Sequence, residues 1–324
     1  MPGKNIVICM DGTGNEFGRN ITNVVETYLL AEKSHRQLVY YDPGVGTGGY
    51  RWDDNLERVF ERATGSGLHE NVEQAYLYLM ENYRVGDKVF LFGFSRGAFS
   101  ARSLAHMLYK VGLLPEDHQN QLEYASKYYL KPEYRAEARD YREKFCRACP
   151  VHFLGVWDTV NGTIVTESAA FTDTLLNPEV SYAYHAVSID ERRKDFAVAL
   201  WDETMLAPEQ TVEQVWFAGV HSDVGGWYDE RDLSSIALVW MVERASEVGL
   251  QVNEALLERK RAERNAAGEI HESHRGFWKL RGLPSRRKIP PRAHVHISVI
   301  ERMQKMAGYR PKLPEDHEVV YQVI

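Results

Sequence analysis

Ser95 stands in Gly93-Phe-Ser-Arg-Gly97, a G-x-S-x-G motif. An apolar, β-rich run, Val89–Phe92, leads into it, and Ala98, Ala101, Ala105 and Leu108 follow at helical spacing. Strand, sharp turn and helix are the surroundings in which this motif exposes a serine hydroxyl for attack. A hydroxyl is a poor nucleophile at its own pKa. It needs a general base, and the base needs an orienting group. Two downstream apolar segments end in such groups. Val151–Val156 runs on to Asp158, and Val212–Val220 runs on to His221, followed by Asp223 and Gly225-Gly226. Ser95, Asp158 and His221 therefore read as nucleophile, acid and base in the chain order expected of such hydrolases. Asp158 has a competing reading as a turn or N-cap residue, and His221 one as a hydrogen-bonded structural histidine. Asp223 lies too close in sequence to orient His221 and reads as a brace for its loop. His296, in His294-Val-His296, is a rival base.

A tetrahedral oxyanion needs two backbone N–H donors. One is expected from Arg96, directly after the nucleophile, and the other from Gly12 or Thr13 in the loop Met10-Asp-Gly-Thr-Gly-Asn15. Asp11 in that loop is a supporting candidate. Asp11-Gly-Thr13 also resembles the start of haloacid-dehalogenase-type phosphatases, whose nucleophilic Asp stands two residues earlier. Cys9 occupies that position here. Gly44-Val-Gly-Thr-Gly-Gly49 matches G-x-G-x-x-G, but it follows the second strand, with Asp42-Pro43 intervening. Three cysteines make no disulfide framework, and the single Cys146-Arg-Ala-Cys149 lacks the further ligands of a zinc site. The expectation is chemistry without metal or cofactor.

These groups need a sheet to hold them. Strands are expected at Ile6–Met10, Gln37–Tyr41, Val89–Phe92, Val151–Val156 and Val212–Val220, with another at Phe196–Leu200. Leu68, Val72, Ala75, Tyr76, Leu79 and Tyr83 have helical spacing before the central strand. This alternation predicts one α/β domain over residues 1–324, with a mainly parallel central sheet and helices on both faces. Two insertions interrupt it. Residues 115–148 carry Tyr124, Tyr128, Tyr134, Tyr141 and Phe145 in an amphipathic pattern, expected to form a lid over an acyl pocket. Residues 251–293 are polar: between Glu258 and Arg292, 11 Lys and Arg face 4 Asp and Glu, which reads either as a solvated helix and loop or as a surface for anionic headgroups or phosphates. The net charge of -7 argues against nucleic acid as a partner. No apolar run reaches the length of a membrane span, so membrane contact would be peripheral. Met1-Pro-Gly-Lys-Asn5 leads straight into a strand, so the expected location is cytoplasmic, with export by a signal-independent system as the other possibility.

Together these stretches resemble the catalytic domain of type VI secretion phospholipase effectors. The matching segments are Asp11–Asn15, Tyr41–Thr47, Gly86-Asp87, Gly93–Ala98, Val156–Val160, His185-Ala186 with Asp190-Glu-Arg192, and Gly219–Gly226; His296–Arg302 resembles a late family segment. The resemblance implies an α/β-hydrolase fold, a triad on Ser95, Asp158 and His221, and hydrolysis of glycerophospholipid acyl esters. The expected function is an acyl-ester hydrolase working through an acyl-enzyme, with a lipid or phospholipid substrate. The alternatives are a non-catalytic membrane- or partner-binding module on the same fold, and an acyltransferase.

Overall fold

The computed structural model describes residues 3–12, 21–44, 65–160, 175–280 and 282–321. Eight strands among them form one sheet: β1 (Asn5–Met10), β2 (Gln37–Asp42), β3 (Lys88–Phe94), β4 (Val151–Trp157), β5 (Val180–Ser188), β6 (Thr211–Phe217), β7 (His294–His296) and β8 (Glu318–Val320). Their order is β2-β1-β3-β4-β5-β6-β7-β8, and every pairing is parallel. The helices are α1 (Asn23–Leu30), α2 (Gly65–Asn82), α3 (Arg96–Val111), α4 (Leu122–Leu130), α5 (Arg135–Phe145), α6 (His221–Gly225), α7 (Asp232–Glu247), α8 (Glu254–Glu263) and α9 (Ile297–Lys305).

A parallel sheet is covered on both faces, so its central strands are apolar throughout rather than alternating. All six residues of β1 are buried. The two-residue strand period then sends alternate side chains into separate cores. Ile6, Ile8 and Met10 pack with α2, α3, α4 and α5 on one face. Val7 and Cys9 pack with Phe92, Trp157, α1 and α7 on the other. This is an α/β-hydrolase-like fold. After β1 the chain moves outward to β2, then returns to place β3 on the opposite side of β1. α1, which follows β1, and α3, which follows β3, pack on opposite faces of the sheet, so the carboxyl ends of these strands mark the switch point at which α/β sheets bind ligands.

Several expected elements are revised. Phe196–Leu200 is not a strand; a 3-10 turn covers Lys194–Phe196, and Val198 makes a single bridge to Val160. β6 stops at Phe217, because Gly219 takes a φ of 114° and turns the chain into α6. In the tyrosine-rich segment 115–148, Tyr129 and Tyr141 are buried with Leu104 and Leu108, and its polar contacts include Lys110 to the Tyr129 carbonyl, Arg142 to the Tyr109 carbonyl, Leu113 to Arg147 and Ser126 to Glu73. Ser95 lies at the N-terminal end of α3.

Candidate active site

β3 delivers Ser95 into a turn that is tight on both sides. Its φ is 58° and ψ -119°, a conformation costly for any residue with a side chain. The flanking glycines are required by contact. A Cβ on Gly97 would lie 2.2 Å from the Met10 carbonyl oxygen, and one on Gly93 would lie 2.4 Å from the Gly97 carbonyl oxygen. The Ser95 N–H donates to the Trp157 carbonyl, tying the turn to the end of β4.

His221 is the first residue of α6, and Asp158 follows β4 at a φ of 42°. The structure brings both to Ser95. His221 Nε2 is 2.8 Å from Ser95 Oγ, and His221 Nδ1 is 2.5 Å from Asp158 Oδ2. The carboxylate fixes the tautomer: Nδ1–H donates to Asp158, leaving Nε2 to accept from the serine hydroxyl. The imidazole is wedged between Phe94, at 4.6 Å between ring centres, and Phe196, edge-on at 4.9 Å. Its backbone N–H donates to Glu191 Oε2 at 3.3 Å. Glu191 is itself buried and gripped by both the Nε and Nη2 of Arg193.

Sequence reasoning missed Arg287. Its Nη1 lies 2.5 Å from Asp158 Oδ1 and its Nη2 3.0 Å from Oδ2, a two-pronged pairing with a fully buried carboxylate. The same guanidinium also donates to the Ser188 carbonyl and hydroxyl and to the Phe196 carbonyl. The Ser188 N–H completes the set at 2.9 Å from Asp158 Oδ1. Burial alone would raise the Asp158 pKa, but Arg287 and His221 outweigh it and hold the carboxyl well below its usual range. His221 is pushed below its ordinary value by burial, against the opposing pull of Asp158. The imidazole is therefore neutral at neutral pH, with an ionised acid behind it.

The other candidates fall elsewhere. Asp223 accepts the Val220 N–H, closing the first turn of α6, and pairs with His271 Nδ1 at 2.6 Å. It braces the helix that starts at His221. His296 caps α9, with Nδ1 accepting from the Ser298 N–H at 3.2 Å, and it stacks on Phe217. Burial, then Arg264 and Arg244, push its pKa down to about 3. Its contacts do not reach Ser95. The Arg96 backbone N–H opens α3, where the first N–H groups have no acceptor within the helix. Burial brings the Arg96 guanidinium pKa down to about 9. Gly12 is already engaged: its N–H donates to Asp11 Oδ1 at 2.7 Å, while Asp11 Oδ2 accepts from Thr22 and Tyr41. Thr13 lies outside the described residues. Among those residues no group of three or more His, Cys, Asp or Glu could hold a metal ion.

Known proteins are similar to this chain. A family model for the type VI secretion system phospholipase effector Tle1-like catalytic domain matches residues 4–244. The chain belongs to this family. The matched span contains Ser95, Asp158 and His221, and stops short of Arg287 and His296. An uncharacterized Saccharomyces cerevisiae protein, YEL023C, is 34% identical over 218 residues, covering 60% of this chain and 32% of the yeast protein. The chain thus spans about a third of that relative's length. Two solved structures are similar at 18% identity. One is an uncharacterized protein from Pseudomonas aeruginosa, with a TM-score of 0.42, covering 83% of this chain and 51% of that one. The other is the Tle1 effector bound to the VgrG spike of the type 6 secretion system, with a TM-score of 0.39, covering 70% of this chain and 52% of that one. Among the described residues no helix is long and apolar enough to cross a membrane.

Proposed function

We propose that this chain is a serine ester hydrolase acting on phospholipid acyl esters. The observation that carries the reading is the continuous hydrogen-bonded line from Ser95 Oγ through His221 to Asp158, at 2.8 and 2.5 Å. Family membership supports the phospholipid class. In this mechanism His221 Nε2 takes the Ser95 proton as Oγ attacks the ester carbonyl. The oxyanion is held by the Arg96 N–H, at the positive end of α3. The imidazolium then protonates the leaving alcohol, and water enters by the same base to release the fatty acid. Asp158 holds the tautomer throughout and stabilises the imidazolium. The contacts of His221 with Ser95 and Asp158 support these roles, and the neutral state of His221 is the one a general base requires.

The direct test is labelling with a fluorophosphonate probe, followed by fatty-acid release from phosphatidylcholine and phosphatidylethanolamine. Labelling is expected in the parent and absent in Ser95→Ala and His221→Ala, with His296→Ala still labelled. Folded parent protein that takes no label would sink the hydrolase reading. Labelling without release from any phospholipid would leave an esterase and overturn the substrate class.

A further inference from the structure

Arg287 pairs with Asp158 on one side and lines a cavity on another. The cavity, of about 210 Å³, is lined by Arg192, Arg286, Arg287, Arg310 and Lys312. Two carboxylates share the lining, and both are engaged. Glu191 is bound by Arg193, and Asp190 accepts from the Gly219 N–H and the Tyr309 hydroxyl. The cations are less committed. Among the described residues, Arg286, Arg310 and Lys312 form no ion pair, and Arg192 approaches Glu272 only at 3.9 Å. Arg310 is held in place by donating to the Met303 and Tyr309 carbonyls.

Arg287 supplies the second observation. Its side chain is 6% exposed, and its Nη groups are bonded to Asp158, Ser188 and Phe196. Its Nε–H is buried with no partner. A buried N–H left unpaired is costly, and a ligand bringing an acceptor restores that bond. Four arginines and a lysine line this cavity, and guanidinium edges suit the several oxygens of a tetrahedral oxyanion.

We infer that this cavity is a binding site for a phosphate-type oxyanion, carried either by a free phosphate compound or by a lipid headgroup. Its lining includes none of Ser95, Asp158 and His221, and it does not depend on the hydrolase reading. Its link to the site above is the shared guanidinium, which holds Asp158 with Nη1 and Nη2 and lines this cavity.

The experiment uses the full chain. Binding of inorganic phosphate is measured by titration calorimetry against chloride at matched ionic strength. In parallel, the protein is sedimented with phosphatidylcholine vesicles with and without phosphatidic acid, whose headgroup is a phosphate monoester. Arg286→Gln/Lys312→Gln removes two exposed cations, and an unchanged unfolding temperature shows that the fold is intact. Each lost cation should weaken binding by up to about fivefold, and the pair by about tenfold or more. Phosphate binding that falls so in the variant identifies a free oxyanion. Binding only to phosphatidic acid vesicles, again lost in the variant, identifies a headgroup. No binding in either assay, or binding indifferent to the double substitution, overturns the site.

Discussion

Removing Arg287 tests how the candidate site is supported. Arg287→Met keeps most of the apolar stem and deletes the two-pronged pairing with Asp158, made at 2.5 and 3.0 Å. Asp158 is fully buried, so its charge cannot turn to water; it keeps only the Ser188 N–H and His221. Breaking a buried pair from one side costs about 3–5 kcal/mol. At about 2 °C per kcal/mol for a chain of this size, the unfolding midpoint should fall by about 6–10 °C. A second effect has its own sign. The guanidinium and the imidazole share one carboxylate, so the cation disfavours a second positive charge beside it. Its loss should raise the His221 pKa. Since the neutral imidazole is the proposed base, the acid limb of fluorophosphonate labelling should move to higher pH, and Arg287→Lys should move it less. Labelling across pH 4–9 by gel fluorescence (an assay range of about five units), with scanning fluorimetry alongside, reads both effects. An unchanged midpoint with an unmoved acid limb would refute the argument that Arg287 governs Asp158.

Other outcomes follow from single contacts. Ser95→Gly should abolish labelling yet raise stability by about 1 kcal/mol, because the φ of 58° and ψ of -119° cost a serine about 1–3 kcal/mol, partly offset by glycine's greater unfolded entropy; a lowered midpoint by calorimetry would contradict the strain. Gly97→Ala would drive a Cβ to 2.2 and 2.4 Å from the Met10 and Asp11 carbonyl oxygens, both backbone, so a loss of about 3 kcal/mol and much slower labelling are expected; near-normal labelling would show that the turn can relax. His185 and His296 are both pushed down to about 3 by burial. The unfolded chain takes up these protons below about pH 6.5 and the folded chain does not until about pH 3, so stability is lost as pH falls through that window, at up to about 1.4 kcal/mol per unit for each histidine. Urea unfolding at neutral pH and one to two units lower should show the loss, with His296→Gln flattening it; equal stability at both would show that the histidines are not held neutral.

Ser95, Asp158 and His221, the proposed nucleophile, acid and base, stand out in the sequence because each follows an apolar strand, and a parallel sheet gathers those ends at one edge. Ser95, Asp158 and His221 follow β3, β4 and β6, with β5 between. β5 was not legible: Val-Ser-Tyr-Ala-Tyr-His-Ala-Val-Ser188 mixes small, polar and aromatic residues, since His185 and Ser188 are buried for their hydrogen bonds to Thr159 and Arg287. β7 and β8 are three residues each, shorter than any period can register, and β7 passes directly into α9. Phe196, Val198 and Leu200 alternate as a strand does, yet Phe196 is spent on His221 and Trp278 instead. Gly12 suits an oxyanion donor by sequence, but the neighbouring Asp11 side chain takes its N–H, a local contact that spacing alone does not reveal. Arg287 was hidden in a basic tract whose other members are largely exposed; nothing in its neighbours distinguishes a side chain that turns inward.

That inward turn bears on the order in which the chain is made. The serine, its imidazole and its carboxylate all precede residue 222, while the cation that stabilises the carboxylate is 129 positions after it in sequence. A ribosome emitting the chain at about 5–20 residues per second lets the early strands associate first. Until residue 287 has emerged, Asp158 lacks its counter-charge, and burying it is correspondingly unfavourable. Closure of the candidate site is thus tied to synthesis of a late segment, so the nascent sheet should hold that corner open until the segment arrives.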